Sequence, residues 1–450
     1  WDDLLVPPAR LRTAIATLNP GLPAATVDEA VAFIGTATST DAIAENRVIH
    51  TYLTEGLRAV SYVDDTGVEI TPTIRLLSTD PDENDWFVAS QVTVIRGDYE
   101  RRFDLVLYLN GMPVAVAELK NAGSEYAGLT DAHAQLQTYL REFPLAFRYA
   151  VIGLVSDGIS ASYGTPFTPP FEHYSPWNVD DDGKPVEFTG DNHPLDVALF
   201  GLFNQERFLQ LLRNYTAFDE SEDGLVKRIA KPHQYFAVAK AVGSTVVAVE
   251  SEGKAGVVWH TQGSGKSMEM ELYANQVIRH PKLANPTIVV ITDRNELDGQ
   301  LYEAFSRSRL LPEHPRQIRR REELRSELSG RTTGGIYFTT LQKFGKSREE
   351  RETGRSHPQL SDRRNIIVIV DEAHRSHYDD LDGYARHLRD ALPHATLIAF
   401  TGTPDLVRGP QHPGRVRRLH RRLRPDPRRR GRRHCARALR KPAREGRFRG

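Results

Sequence analysis

His260-Thr-Gln-Gly-Ser-Gly-Lys-Ser267 is the stretch around which the chain is organised. An apolar run, Gly256-Val-Val-Trp259, leads into it, and Met268-Glu-Met-Glu-Leu-Tyr-Ala-Asn275 follows with helical character. Strand, glycine-rich turn and helix, in that order, let backbone N–H groups and a helix N-terminus cradle phosphates. Gly263 and Gly265 let the backbone close in without a Cβ in the way. Thr261, Gln262 and Ser264 complete the candidate loop; Lys266 is expected to reach the β- and γ-phosphates, and the Ser267 hydroxyl to bind Mg²⁺. The usual pattern is G-x-x-x-x-G-K-[ST], and its first glycine is His260 here. A plain serine/glycine loop would also contain Gly-Ser-Gly-Lys-Ser, but the strand before it and the segments after it argue against that reading.

Downstream, strand and helix alternate in the manner of a parallel sheet. Pro286-Thr-Ile-Val-Val-Ile-Thr-Asp293 and Gly335-Ile-Tyr-Phe-Thr-Thr340 are expected strands, and the charged run Arg319 to Arg331 a solvated helix. Asn365-Ile-Ile-Val-Ile-Val-Asp-Glu-Ala-His374 is an apolar strand ending in two acids. At its C-terminal end, beside the phosphate loop, Asp371 would hold Mg²⁺ through water and Glu372 would orient the attacking water. Ala395 to Phe400 is a further strand, and the hydroxyls of Thr401-Gly-Thr-Pro404 are placed to couple the nucleotide site to a nucleic-acid groove. Upstream, Gln234 in Lys231-Pro-His-Gln-Tyr-Phe236 is placed to hydrogen-bond an adenine edge, although a surface glutamine at a helix start reads the same way.

A second chemical signal lies nearer the N-terminus. Residues 1–60 read as helices, with a turn at Asn19-Pro20 and Asp41 capping a run from Ala42 to Leu57. Phe87 to Ile95 and Arg101 to Leu109 read as strands, and Asn110-Gly111 as a hairpin turn into Val114-Ala-Val-Ala-Glu-Leu-Lys120. Glu118 and Lys120 are two apart, so they leave one face of their strand, and Asp104 can meet them across the hairpin. Two carboxylates binding Mg²⁺ beside a lysine suit phosphodiester hydrolysis. An exposed strand edge alternating Glu and Lys would give the same pattern, but the apolar setting of Val114 to Leu119 calls for a reason to place charges there. Gln135 and Tyr139 share one face of a helix from about Gly128 to Arg141; an ordinary amphipathic helix would do the same. A strand from Tyr149 to Val155 closes this unit. Residues 156–200 are rich in Pro, Gly, Tyr and Asp and read as loops, and a helix is expected near Gln205 to Asn214.

The chain has 450 residues, room for two or three domains, and an ordinary soluble composition. No apolar window of about 18 residues is present, so no membrane span is expected. Cys435 is the single cysteine, which excludes an intrachain disulfide and a cysteine-based zinc site and fits a reducing, cytoplasmic setting. The chain opens on Trp1 without a signal pattern, which suggests a missing start. The formal net charge of zero hides a strong asymmetry. Residues 405–450 hold 18 of the 59 Lys and Arg but only 3 of the 59 Asp and Glu, leaving 41 against 56 and an acidic body.

Taken together, the phosphate loop, Asp371-Glu-Ala-His374 and Thr401-Gly-Thr-Pro404 resemble the first RecA-like motor domain of superfamily 2 translocases. With Asp104, Glu118-Leu-Lys120 and Gln135-x-x-x-Tyr139, the chain resembles the restriction (R) subunit of type I restriction–modification enzymes. Phrases such as Leu109-Asn-Gly-Met-Pro113, Trp259-His-Thr-Gln-Gly-Ser-Gly-Lys-Ser267 and Phe338-Thr-Thr-Leu-Gln-Lys-Phe344 carry that likeness over most of residues 1–404, and His260 belongs to the family's own pattern. Phe103 stands where the family usually has proline. The resemblance implies an α/β chain: a PD-(D/E)xK-type nuclease domain (1–170), a loop-rich connection (171–220), a RecA-like parallel-sheet P-loop ATPase domain (221–408) and a disordered basic tail (409–450). It implies ATP and Mg²⁺ as cofactors, double-stranded DNA as substrate, and partnership with specificity and methyltransferase subunits, without a membrane. Two rivals remain: a stand-alone superfamily 2 DNA repair ATPase with an accessory nuclease fold, and an inactive truncated product that binds DNA or partner subunits.

The family continues into a second motor domain, whereas residues after about 408 here are arginine-rich without apolar periodicity. Gln411 to Arg424 can be encoded so that the frame one base later reads Ser-Thr-Arg-Ala-Val-Phe-Gly-Asp-Tyr-Ile-Asp-Val-Tyr, which resembles the family's continuation. A frameshift is therefore expected, with a genuine basic arm on DNA phosphates as the rival.

Overall fold

The computed structural model describes residues 5–121, 128–168, 170–190, 192–221, 224–260, 263–292, 299–354, 356–371 and 378–402. Three helices open it: α1 (Pro8–Leu18), α2 (Ala24–Gly35) and α3 (Ala42–Glu55). Asp41 caps α3 as expected, its Oδ1 accepting the N–H groups of Ile43 at 3.1 Å and Ala44 at 3.3 Å. The helix ends at Glu55, two residues short of the expected Leu57, because Leu57 turns to pair with Ile74. A small ladder of β1 (Tyr62–Val63) and β2 (Glu69–Ile70) precedes a five-stranded sheet.

That sheet runs in chain order: β3 (Trp86–Arg96), β4 (Tyr99–Leu109), β5 (Met112–Leu119), β6 (Ile152–Ser156) and β7 (Ala161–Gly164). Neighbours are antiparallel except β5 and β6, which α4 (Leu129–Glu142) joins as a crossover. Asn110 and Gly111, at φ +53° and +80°, make the tight turn between β4 and β5. Gly111 is also required by crowding, since a Cβ there would lie 2.7 Å from the Leu11 nitrogen of α1. One face of the sheet (Val92, Val94, Phe103, Val116) packs with Leu136 and Tyr139 of α4, and the other (Leu109, Met112, Val114, Leu154) with α1 to α3.

The segment read as loops contains β7 and a fully buried Trp177. Trp177 packs so closely on α5 (Pro194–Leu202) that a Cβ on Gly201 would lie 2.1 Å from its Nε1. Turn-forming residues thus hide a segment fastened by aromatic burial. Next come α6 (Gln205–Asn214) and an unforeseen hairpin of β8 (Thr216–Ser221) and β9 (Gly224–Ile229).

From α7 (Pro232–Val249) onward strand and helix alternate: β10 (Lys254–Trp259), α8 (Lys266–Arg279), β11 (Thr287–Thr292), α9 (Gln300–Arg307), β12 (Arg316–Gln317), α10 (Arg321–Gly330), β13 (Ile336–Thr340), α11 (Arg348–Glu352), β14 (Ile366–Asp371), α12 (Tyr378–Ala391) and β15 (Thr396–Thr401). The six strands form one wholly parallel sheet in the order β10-β15-β14-β11-β13-β12. Ile288, Val290, Ile367 and Ile369 join one core, and Val289, Ile291, Ile366 and Val368 the core on the opposite face. Burial on both faces is why these strands are unbroken apolar runs. The charged helix expected near Arg319 to Arg331 is α10, with Leu324 and Leu328 buried one turn apart. The first core continues without a break from α1–α3 and the mixed sheet to α7, α8 and the parallel sheet. Among the described residues no helix is long and apolar enough to cross a membrane.

Candidate functional site

Two sites emerge, one at each sheet. In the mixed sheet the ladder ends at Leu105 opposite Ala117, which brings the next residues along, Asp104 and Glu118, side by side. Asp104 Oδ2 accepts the Leu119 N–H at 2.8 Å. Glu118 is 4% exposed, its Oε1 lies 2.7 Å from Lys120 Nζ, and its Oε2 is buried without a hydrogen-bond partner. Burial pushes the Glu118 carboxyl up; Lys120 opposes this and the Asp104 charge adds to it. Tyr139, stacked on Phe103 at 4.5 Å, donates its hydroxyl to the Arg102 carbonyl at 3.2 Å. Burial and then Glu118 push its phenol up to about 12, with Gln135 opposing. Glu118 therefore interacts with Asp104, Lys120 and Tyr139, and Tyr139 in turn with Asp104 and Gln135.

This donor set fits a divalent cation. Two adjacent carboxylates repel, one keeps a buried oxygen without a partner, and a cation between them would relieve both penalties. Among the described residues no group of three or more His, Cys, Asp and Glu is placed to hold a metal, so protein ligation there would rest on these two acids.

At the parallel sheet, β10 leads into the glycine-rich turn and α8 starts from it. Gly263 and Gly265 take φ +82° and +87°, the left-handed values the turn requires. Lys266 and Ser267 open α8, both partly buried, and the buried Ser264 Oγ has no hydrogen-bond partner. Asp371 ends β14, two strands from β10 across β15. The His260 N–H donates to the Thr401 carbonyl at 3.2 Å, tying the loop to the end of β15. Thr261, Gln262, Glu372, Thr403, Pro404 and the tail from 409 lie outside the described residues.

Gln234 is only 3% exposed, which removes the surface-glutamine reading. Its Nε2 donates to the carbonyls of Ser264 at 3.2 Å and Gly265 at 3.3 Å, while its Oε1 accepts the Lys231 N–H at 2.9 Å. Sequence reasoning missed three residues around these sites. His233 places Nε2 3.0 Å from the Ser264 carbonyl. Glu269, fully buried in the first turn of α8, accepts from His260 Nδ1 at 2.6 Å. A glutamate among the buried positions of Met268-Glu-Met-Glu271 was the available signal for it. Gln91 donates its Nε2 to Asp104 Oδ1 at 3.1 Å.

Two family models match the chain: the type I restriction enzyme R protein N terminus over residues 7–170, and the SWI2/SNF2 ATPase over 233–412. The chain is 40% identical to the type I restriction enzyme HindI endonuclease subunit of Haemophilus influenzae over 411 residues, 88% of this chain and 38% of that protein. It is 38% identical to the putative type I restriction enzyme MjaIXP endonuclease subunit of Methanocaldococcus jannaschii over 346 residues, 72% of this chain and 31% of that protein. The chain thus spans well under half the length of these relatives. Over the part that it spans, it belongs with the type I restriction enzyme endonuclease (R) subunits and joins their N-terminal domain to a SWI2/SNF2-type ATPase domain.

Proposed function

We propose that this chain supplies the nuclease and first motor parts of an ATP-dependent type I restriction endonuclease, which cleaves unmodified double-stranded DNA and couples cleavage to ATP-driven translocation. The observation that carries the reading is the convergence of Asp104, Glu118 and Lys120 in a chain that also holds a left-handed Gly263/Gly265 loop at the start of α8. Residues 1–170 are then a PD-(D/E)xK-type nuclease domain and 221–408 the first RecA-like domain. Asp104 and Glu118 would hold Mg²⁺, which when bound lowers the pKa of water and supplies a nucleophile. Lys120 would steady charge developing on the phosphate, and Gln135 and Tyr139 line the same site. In the motor, residues 261–267 would hold ATP, Ser267 and Asp371 its Mg²⁺, and Glu372 would orient water. Gln234 would sit beneath the loop with the adenine edge as its further partner.

The partners are DNA and the specificity and methyltransferase subunits, in the cytoplasm. Asp104→Ala and Lys120→Ala, made in a chain of the relatives' full length assembled with those subunits, are expected to abolish DNA cleavage and leave DNA-stimulated ATP hydrolysis unchanged. If cleavage and ATPase fell together, the assignment of two separate sites would be wrong.

A further inference from the structure

Strand β3 passes the candidate nuclease site with one residue in the left-handed region. Gln91 has φ +53° in the middle of an eleven-residue strand. The other described non-glycine residues with positive φ (Leu5, Asn110, Ala284 and Asn285) all lie outside strands. Glutamine has no preference for that conformation, unlike glycine or asparagine. No residue has been inserted to cause it, because Ser90 still pairs with Leu105 and Val92 with Phe103 on either side. Gln91 therefore stands directly opposite Asp104, and its carboxamide donates to Asp104 Oδ1 while the Leu119 N–H occupies Oδ2.

We infer that Gln91 is a positioning residue for the metal-binding carboxylate: its strained backbone delivers a carboxamide that holds Asp104 in place beside Glu118. A local backbone strain persists where the surrounding structure over-determines it, and such strain gathers at functional sites. The choice of an amide follows from the electrostatics. A lysine or arginine at this position would hold Asp104 equally well but would cancel the charge that a cation needs. A neutral donor orients the carboxylate and leaves its charge available.

The inference rests on the nuclease reading, and the test separates the two. Mn²⁺ binding to this chain is measured by electron paramagnetic resonance in a Ser267→Ala background, so that the phosphate loop does not contribute. Asp104→Ala is expected to remove binding. Gln91→Gly, which relaxes the backbone and removes the side chain with its amide, is expected to weaken Mn²⁺ about ten-fold with an unchanged or higher urea midpoint. Gln91→Asn, which tolerates the left-handed conformation but is one methylene shorter, is expected to behave like glycine. Mn²⁺ affinity within two-fold of the parent in both Gln91 variants, with Asp104→Ala still defective, would overturn the inference and leave the nuclease reading intact. Unchanged binding in Asp104→Ala would overturn both.

Discussion

Lys227 offers a sharp test of how the N-terminal unit is joined to the rest. It lies on β9, is 1% exposed, and donates its Nζ to Asn46 Oδ1 at 2.8 Å and to the Ala150 carbonyl at 2.7 Å. The rings of Phe218 and Phe167 stand 5.3 and 5.7 Å away, and among the described residues no carboxylate pairs with it. Burial brings its ammonium from the ordinary 10.5 down to about 7. Because the folded value lies below the unfolded one, the unfolded chain binds more protons between those limits, and stability rises with pH across that window. From pH 7.5 to 9.5 the rise due to Lys227 is roughly 2.5 kcal/mol. Buried His50, held down to about 3 by burial and by Lys227, titrates well below that window and does not interfere. The assay is urea unfolding of the parent and Lys227→Met at several pH values. Met deletes the titration, and Ala150 keeps a bond from Asn46 Nδ2 at 2.9 Å. The stability difference should move in favour of the parent by roughly 2–3 kcal/mol over those two pH units. A pH-independent difference would refute the reasoning, because it would mean that Lys227 keeps an ordinary ammonium in the folded state.

Two further perturbations follow from buried contacts. Arg148 and Glu45 form a pair at 3.0 Å, 3% and 2% exposed, in which Glu45 also accepts from Thr38 and Ser39 and Arg148 donates to the Ile34 and Thr36 carbonyls. Glu45→Ala leaves an uncompensated buried guanidinium and should cost about 3–5 kcal/mol, read as a lower urea midpoint. Gly265→Ala puts a Cβ 2.5 Å from Gln234 Nε2 on top of a left-handed strain, whereas Gly263→Ala carries the strain with nothing within 4 Å. Binding of a fluorescent ATP analogue should therefore fall further in Gly265→Ala than in Gly263→Ala; equal losses would show that Gln234 does not hold the loop.

Much of this architecture was legible because it is locally encoded. Five unbroken apolar residues before Asp371 specify a strand buried on both faces, Asp41 caps the helix it precedes, and Asn110-Gly111 selects the turn that brings Glu118 to Asp104. What was not legible depends on partners distant in sequence. Gln91 reads as an ordinary strand residue, and only the sheet register reveals that it faces Asp104. Glu45 and Arg148 lie more than a hundred residues apart, each looking like a solvated charge. The β8–β9 hairpin was hidden by the acidic run Asp219-Glu-Ser-Glu-Asp223, which masks the alternation of its strands. His260 looked like a departure from a glycine, and its role becomes visible once Glu269 supplies its partner from the first turn of α8.

The hairpin also bears on how two chemistries can share one chain. Successive side chains of a strand leave on opposite sides, and on β9 the alternation falls between the two units. Lys227 points to Asn46 of α3 and Ala150 before β6, on the N-terminal side. Arg228, the next residue, reaches 2.5 Å to Asp219 and 2.9 Å to the fully buried Glu271 of α8, whose other carboxylate oxygen accepts from Ser308 just beyond α9. Glu271 sits five residues after Lys266, on the helix that begins at the glycine-rich loop. One strand thus holds the unit bearing Asp104 and Glu118 with one side chain and the helix that follows the glycine-rich loop with the next. Lys227 is buried on two neutral acceptors and Arg228 is part-buried between two carboxylates, so slippage would strand a buried polar group on one side and buried Glu271 on the other. Such a join fixes the register between α8, which starts at the glycine-rich loop, and the N-terminal unit at Asn46 and Ala150.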